Sequence, residues 1–274
     1  MRSTLKVYDL TAGARVVLQT DRLIEAPNWS PDGAELLVNE GGALWRVPLA
    51  GPDLLAVDIG GITRCNNDHG YSPDGRWIVF SAHHRGMGAE IYRVPRGGGQ
   101  AETVSNMAPS WWHGFSPDGR DMVYAAARSG RVVDIYRCPF GGEPEVRLTF
   151  GEGHSDGPEF SADGARIYYN SDRGGHAQIW VMQADGSGHR QLFMDDRVNW
   201  FPHPSPDRRH LVYLSFPPGT EGHPRDLPVQ IVLCDSEGGN RQVIQSLIGG
   251  QGSMNVPNWS PDGRAFAFVC YEQP

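Results

Sequence analysis

The chain has 274 residues, a length that fits one large domain or two small ones. Its 35 glycines, 21 prolines and hydrophobic share of 39% indicate many short strands joined by turns, and exclude a protein built of long amphipathic helices. The formal net charge of −8 argues against nucleic acid and anionic membranes as partners, because phosphate groups need Lys and Arg. We therefore expect no nucleic-acid partner. We also expect no membrane insertion, since no segment is apolar enough to span a bilayer.

The first 20 residues contain two expected strands, at residues 5–8 and 15–18, on either side of a turn near Gly13. They show no apolar run between a basic start and a small-residue cleavage site. The expected location is therefore the cytoplasm, or the periplasm if a leader has been removed.

From residue 30 onward, the string Ser-Pro-Asp-Gly recurs along the chain. Full copies begin at Ser30, Ser72, Ser116 and Ser260, and degenerate copies begin at Ser161 and Ser205. The six copies lie 42, 44, 45, 44 and 55 residues apart. A period of forty-odd residues is typical of WD40-like repeats, in which each repeat forms a four-stranded propeller blade.

Each repeat has the same internal order. The string forms a tight turn after the first strand, because Pro presets φ, Asp caps backbone N–H groups and Gly takes a positive φ. A second strand, a loop, a third strand, a Gly-rich turn and a fourth strand follow. In the second repeat, for example, the second and third strands are expected at residues 77–80 and 90–92.

The two ends of the chain complete the last repeat. The 14 residues after Ser260 suffice for the inner strands of a blade, and the residues before Ser30 supply the outer ones. The predicted fold class is therefore all-β: a six-bladed β-propeller of four-stranded blades, whose last blade is closed by N- and C-terminal strands. We expect a single domain over residues 1–274.

These repeats resemble a known family. Residues 170–186, Asn-Ser-Asp-Arg-Gly-Gly-His-Ala-Gln-Ile-Trp-Val-Met-Gln-Ala-Asp-Gly, followed by Arg-Gln-Leu at 190–192, are similar to the blade signature of TolB. With the six serine turns, the resemblance extends over nearly the whole chain. It implies the propeller part of TolB, a periplasmic protein of a bacterial envelope system, without the N-terminal α/β domain of that family.

The candidate functional residues precede each serine. The first strand of a propeller blade lines the central channel, so these residues are expected to converge at one channel mouth. Four of the ten histidines fall there. The candidate ligand-binding residues are Glu25, Asn28, Asp68, His69, Trp112, His113, His154, Asp156, Glu159, Trp200, His203 and Asn258.

Three interpretations of this set stay open. Channel walls are hydrated, so the polar side chains could simply bind water. Aromatic faces beside convergent polar groups could instead recognise a peptide or a sugar. Imidazoles from several strands could also hold a divalent metal, with His69, His113 and His203 as the candidate ligands. No other cofactor is expected.

Two functions are compatible with these residues. The first is a non-enzymatic protein- or peptide-binding module, favoured by the TolB resemblance and by the lack of a Gly-x-Ser-x-Gly nucleophile motif. The alternative is a carbohydrate-active enzyme, a lyase or hydrolase, that acts on an oligosaccharide through the channel histidines and carboxylates. Some oligogalacturonate lyases resemble this chain at the level of the fold and carry a histidine-rich metal site.

The fifth repeat is about eleven residues longer than its neighbours. The excess is expected at residues 216–228, between the second and third strands, where four prolines and two glycines exclude a regular strand. Long loops on rigid scaffolds often carry function. We expect this loop either to border the ligand site, with His223, Arg225 and Asp226 as contacts, or to be a tolerated surface insertion.

Overall fold

A computed structural model describes residues 2–84, 86, 88–105, 107–128 and 130–272. The chain falls into two compact units, residues 1–112 with 251–274, and residues 113–250. The single domain expected over residues 1–274 stays a prediction. In the described ranges, no helix is long and apolar enough to cross a lipid bilayer.

The described chain is almost entirely strand and turn. Its first half contains β1 (Arg2–Asp9), β2 (Gly13–Thr20), β3 (Glu25–Trp29), β4 (Glu35–Glu40), β5 (Ala43–Pro48), β6 (Leu55–Ala56), β7 (Cys65–Tyr71), β8 (Trp77–Ala82), β9 (Glu90–Pro95), β10 (Glu102–Ser105), β11 (Ser110–Phe115), β12 (Asp121–Ala126) and β13 (Asp134–Pro139). Its second half contains β14 (Val146–Arg147), β15 (Ser155–Phe160), β16 (Arg166–Ser171), β17 (Gln178–Gln183), β18 (Arg190–Gln191), β19 (Val198–Pro204), β20 (His210–Phe216), β21 (Leu227–Asp235), β22 (Gln242–Gly249), a 3₁₀ turn (Gln251–Ser253) and β23 (Ala265–Glu272).

These strands form the six blades of a β-propeller. Blades one to five are antiparallel sheets of four strands each, in the order β3-β4-β5-β6, β7-β8-β9-β10, β11-β12-β13-β14, β15-β16-β17-β18 and β19-β20-β21-β22. Blade six is the sheet β2-β1-β23. The predicted all-β fold and its six blades are confirmed.

The two chain ends pair in blade six, as predicted. Leu5 of β1 stands opposite Val269 of β23. The innermost strand of this blade is shorter than expected, because it is reduced to one bridge between Trp259 and Phe266. The side-chain amide of Asn258 donates a hydrogen bond to the backbone carbonyl of Ala267 at 2.9 Å. This bond takes the place of a backbone bond that a longer inner strand would make.

Each described core cluster lies between neighbouring blades. In the first unit, Leu5 and Val269 of blade six pack with Val38 of blade one. In the second unit, Ile135 of blade three packs with Tyr169 of blade four. Both faces of the middle strands are thereby buried, which explains why β4, β8, β12, β16 and β20 read as nearly continuous apolar runs.

The six serine turns share one hydrogen-bond pattern. In each turn the serine hydroxyl donates to the aspartate carboxylate two residues later, at 2.5–2.7 Å. The hydroxyl of Ser72 and the backbone N–H of Arg76 lower the pKa of Asp74 below its usual value. The aspartates therefore act as turn formers, as their repetition predicts.

The fifth blade is longer for more than one reason. Residues 217–226 join β20 to β21, whereas residues 172–177 make the corresponding connection in blade four. The rest of the excess lies in the long strands β21 and β22, so assigning all of it to the loop was wrong. Pro228 belongs to β21, where it pairs only with Ile248 of β22 and needs no N–H bond to β20.

Candidate functional site

The first strands of blades one, four and five share a backbone irregularity. Each has a bulge at its candidate residues, where Ala26, Gly157 and Phe201 adopt φ of 54°, 59° and 55°. Each of these residues precedes a proline, which disfavours the right-handed helical region. A bulge changes the direction of the side chains beside it, and bulges are common next to binding sites.

In the second unit, three imidazoles surround the carboxylate of Asp156. The Nε2 atom of His113 lies 3.1 Å from Oδ1, and those of His154 and His223 lie 3.6 and 3.8 Å from Oδ2. The backbone N–H of Gly157 also donates to Oδ1, at 2.7 Å. One buried carboxylate therefore serves histidines from blade three, blade four and the long loop of blade five.

This arrangement shifts the pKa of its members in opposite directions. Burial raises the pKa of Asp156, but His113 and His154 outweigh burial and hold it well below its usual value. Burial lowers the pKa of His154, but the carboxylate of Asp156 outweighs it, so that the net shift is upward. Burial, only partly offset by Asp156, lowers the pKa of His223. Asp156 therefore favours the charged form of His154, whereas burial favours the neutral form of His223.

A second pair lies in the same unit. The Nδ1 atom of His203 is 2.6 Å from Oε2 of Glu159. Burial raises the pKa of Glu159, and the proximity of His203 offsets this in part. The side chains of His113 and His203 are each 4% exposed. The interpretation that the polar side chains simply bind water therefore does not describe these two histidines, which are buried against carboxylates.

A cleft of about 400 Å³ adjoins the Asp156 cluster, within the second unit. Val198 and Trp200 form an apolar wall, and His154, His176 and His223 contribute imidazoles to a lining that also includes Asp172. Residues 220–223 of the long loop close one side. The ring of His223 meets Trp200 edge-on, with centroids 4.5 Å apart. The cleft thus combines an aromatic surface with groups that can donate or accept hydrogen bonds.

Phe201 belongs to this cluster, although the sequence analysis did not select it. Its ring stacks on His113 at 6.5 Å and meets His223 at 5.2 Å, while its backbone N–H donates to Asn170 Oδ1 at 3.2 Å. The signal that could have found it is Gly157, which fills the equivalent position of blade four and also has a positive φ. A phenylalanine at a position that favours glycine indicates a role for its side chain.

Of the expected loop contacts, His223 reaches the cluster. His223 contacts Asp156, Trp200 and Phe201, as described above. Arg225 and Asp226 instead form an ion pair with each other, with Nε 3.4 Å from Oδ2. The loop therefore contributes an imidazole to the cleft of the second unit.

In the first unit, the candidate residues make structural contacts. The amide of Asn28 donates to the carbonyl of Pro257 at 2.6 Å and accepts from the N–H of Tyr71 at 3.0 Å, which joins three blades. Asp68 accepts from the amide of Asn255 at 2.6 Å. Glu25 is half-buried beside the 3₁₀ turn. Asn258 is fully buried and completes blade six, as described above.

The two remaining candidates of the first unit are core residues. His69 is fully buried, and neither ring nitrogen has a partner at hydrogen-bond geometry. Burial lowers the pKa of His69 to about 4, so it is neutral at pH 7. Trp112 is 1% exposed, and its ring fills the space that a side chain would need at Gly70.

The candidate metal ligands are divided between the two units, with His69 in the first and His113 and His203 in the second. Within the described ranges, no group of three or more His, Cys, Asp or Glu side chains could hold a metal ion. Each of His113 and His203 instead faces a carboxylate.

The chain is similar to proteins of one known family. A family model described as the TolB β-propeller domain matches residues 104–222. An uncharacterised protein of Agrobacterium fabrum is 46% identical over 273 residues, which cover 99% of this chain and 93% of the relative. A solved structure of an Agrobacterium tumefaciens protein described as a TolB is 46% identical, with a TM-score of 0.98 over 100% of this chain and 99% of that one.

A more distant solved structure shares the fold. TolB from Acinetobacter baumannii is 21% identical to this chain and superposes with a TM-score of 0.67. The match covers 88% of this chain and 62% of that one.

Proposed function

This chain belongs to the TolB β-propeller family, and on that basis we propose that it is a non-enzymatic binding protein for a protein or peptide partner. The observation that supports this proposal is the 400 Å³ cleft of the second unit, with its Trp200 wall and its three imidazoles. An apolar side chain of a partner would contact the edge of Trp200 that borders the cleft, and the imidazoles would bond the polar groups beside it. Loops held by a rigid scaffold are common binding surfaces, and one such loop closes this cleft.

The state of the carboxylates favours binding over catalysis. A general acid or base must reach the proton that it transfers in the bound substrate. The side chains of Asp156 and Glu159 are each 14% exposed, and each already has a histidine partner in the same unit. For either carboxylate itself to transfer a proton, as in the carbohydrate-active alternative, it would have to leave its histidine.

Photo-crosslinking tests the proposal. A photoreactive amino acid at Glu221, which is exposed on the loop beside the cleft, should trap the partner in cells that express the protein. The same amino acid at Asp118, in the serine turn of blade three, is the control position and should trap nothing at comparable yield. Equal yields from both positions, or turnover of an oligosaccharide by the purified protein, would contradict the proposal.

A matched pair of variants then locates the partner. Thr220 lines the cleft, and its hydroxyl donates to the carbonyl of Pro217 at 2.8 Å. Thr220→Trp fills the cleft and should weaken binding of the trapped partner at least about tenfold, a loss of about 1.4 kcal/mol. Thr220→Ser keeps the hydroxyl and should bind within about twofold of wild type. Calorimetric titration measures both, and full affinity of Thr220→Trp would place the partner elsewhere.

A further inference from the structure

The serine turn of blade five departs from the repeat at its fourth residue. Five turns have glycine there, with φ between 69° and 71°, at Gly33, Gly75, Gly119, Gly164 and Gly263. The turn of blade five has Arg208, which adopts φ of 63°. A left-handed conformation is unfavourable for any residue with a Cβ, so the arginine is retained against a cost in stability.

The turn of blade four departs from the repeat at its second residue. At three other junctions, the turn glycine of one blade lies next to the turn proline of the preceding blade. A Cβ atom would lie 3.9 Å from Pro261 at Gly33, 3.9 Å from Pro31 at Gly75 and 3.3 Å from Pro117 at Gly164. Where Arg208 replaces the glycine, the preceding proline is replaced by Ala162. Both departures lie at one junction, because Ala162 and Arg208 line the same groove.

A groove of about 570 Å³ lies at this junction, within the second unit. It is bordered by the two serine turns and by the turn that joins β21 to β22. The groove lies at the opposite ends of β15 and β19 from the cleft described above, so the two share no lining residue. Its volume is typical of ligand sites.

The carboxylates that line the groove are already hydrogen-bonded. Asp163 accepts from the hydroxyl of Ser161 and from the N–H of Ala165. Asp207 accepts equivalent bonds within its own turn. Glu237 accepts from two arginines, one at each oxygen. Each of these carboxylates therefore already has donors within the protein.

Two arginines in the lining are exposed. Arg209, 77% exposed, is held by Asp207 at 2.7 Å. Arg208, 64% exposed, makes a longer 3.3 Å contact with Asp163 and is the less firmly held of the two. Exposed pairs of this kind contribute almost nothing to stability. A guanidinium with free N–H groups binds a planar carboxylate through two parallel bonds. The geometry therefore favours an anionic ligand that carries a carboxylate.

We propose that the groove between the serine turns of blades four and five binds an acidic peptide segment of a partner, through a glutamate or aspartate carboxylate on Arg208. The groove is open to solvent, as an extended segment requires. Ala162 and Arg208 both line it, and the binding of that segment accounts for an arginine in a position that favours glycine.

Restoring the repeat tests this proposal. The probe is a fluorescein-labelled peptide of glutamates flanked by glycines, and the matched probe has glutamine in place of glutamate. Wild type should bind the glutamate peptide at least about fivefold more tightly, measured by fluorescence anisotropy at low salt. In Arg208→Gly the two affinities should become equal, while the melting temperature should rise by about 1–3 °C because the strain is gone. Arg120→Ala removes an exposed turn arginine of blade three. It should change neither the preference for the glutamate peptide nor the melting temperature.

A double-mutant cycle tests the pairing of the two positions. Ala162→Pro should lower both affinity and melting temperature while Arg208 is present, and should lower neither in the Arg208→Gly background. The proposal is overturned if wild type does not distinguish the two peptides, or if Arg208→Gly binds as wild type does. A lower melting temperature for Arg208→Gly would overturn the claim that the arginine is strained. None of these outcomes depends on the cleft at Trp200.

Discussion

At the scale of the residue, Asp156 is the side chain on which the candidate site depends. A buried carboxylate is stable only with partners, and here the partners are histidines from two blades and the long loop. Its pKa lies below the ordinary value, so its charged form stabilises the fold above about pH 4, and this contribution is lost as the pH falls through the folded-state value. The raised pKa of His154 stabilises the fold at lower pH. This stabilisation is fully present below about pH 6.5 and is lost as the pH rises through the pKa of His154 in the folded protein.

Asp156→Asn keeps the size of the side chain but should remove the pH dependence of stability that comes from Asp156 and from His154. The variant should lose about 1–3 kcal/mol of unfolding free energy at pH 6, because His113 and His154 lose their anion. Urea unfolding from pH 3 to pH 8 measures this, and NMR titration should show a lower pKa for His154 in the variant. Glu152→Gln, at an exposed carboxylate paired with Arg173, is the control and should lie within about 0.5 kcal/mol of wild type. An unchanged His154 titration would refute the role assigned to Asp156.

At the scale of the element, the long loop of blade five is a cover for the cleft. Residues 217–226 carry His223 onto Trp200, whose side chain is only 5% exposed. The loop also packs closely against Gly250, where a Cβ atom would collide with the carbonyl oxygen of Pro224. The scaffold therefore holds the loop from both sides, which favours a function at this place over a tolerated insertion.

Replacing residues 217–226 with a short Gly-Ser turn should leave the blades folded, because shortening a loop changes closure entropy little. Trp200 should then become accessible, with a red-shifted emission and stronger acrylamide quenching. Trp200→Phe in the same background identifies the tryptophan responsible. Gly250→Ala should give a smaller change of the same sign, since it displaces the loop without altering its sequence. If quenching of the loop replacement equals that of wild type, the loop does not cover the cleft.

At the scale of the whole molecule, the fold depends on the pairing of the two chain ends. Leu5 and Val7 of β1 are buried, and they pack in one cluster with Val269 of β23. Without β1, the strand β23 would expose an unpaired edge and lose its apolar neighbours. The last blade is therefore the weakest point of the ring of repeats, because only non-covalent contacts close it.

Deleting residues 1–20 should cause aggregation or loss of cooperative unfolding, measured by size-exclusion chromatography and calorimetry. A synthetic peptide of residues 1–20 added during refolding should restore solubility, because it supplies the missing strands. Leu5→Ala in the full chain is a milder test and should cost about 2–5 kcal/mol. A soluble monomeric deletion with an unchanged melting curve would show that the ends are not needed.

The sequence by itself determined the blades, their turns and the closure by the chain ends. Turn chemistry acts within four residues, and the period is visible along the chain, so neither needs knowledge of distant contacts. The departures from Ser-Pro-Asp-Gly at Ala162 and Arg208 were also visible in the sequence. Only the packing of neighbouring turns showed that both residues line one groove.

Only the tertiary structure decided which candidate residues are accessible and which are paired. His69 and His113 occupy the same position before their serines. Burial keeps His69 neutral at pH 7, whereas His113 bonds Asp156. Phe201 lies in the cluster because of its left-handed backbone, which the sequence signals only indirectly, through Gly157 at the equivalent position of blade four. The physical reason is that pairing across blades joins residues more than forty positions apart, so it depends on how adjacent sheets pack and where their strands bulge, not on local sequence.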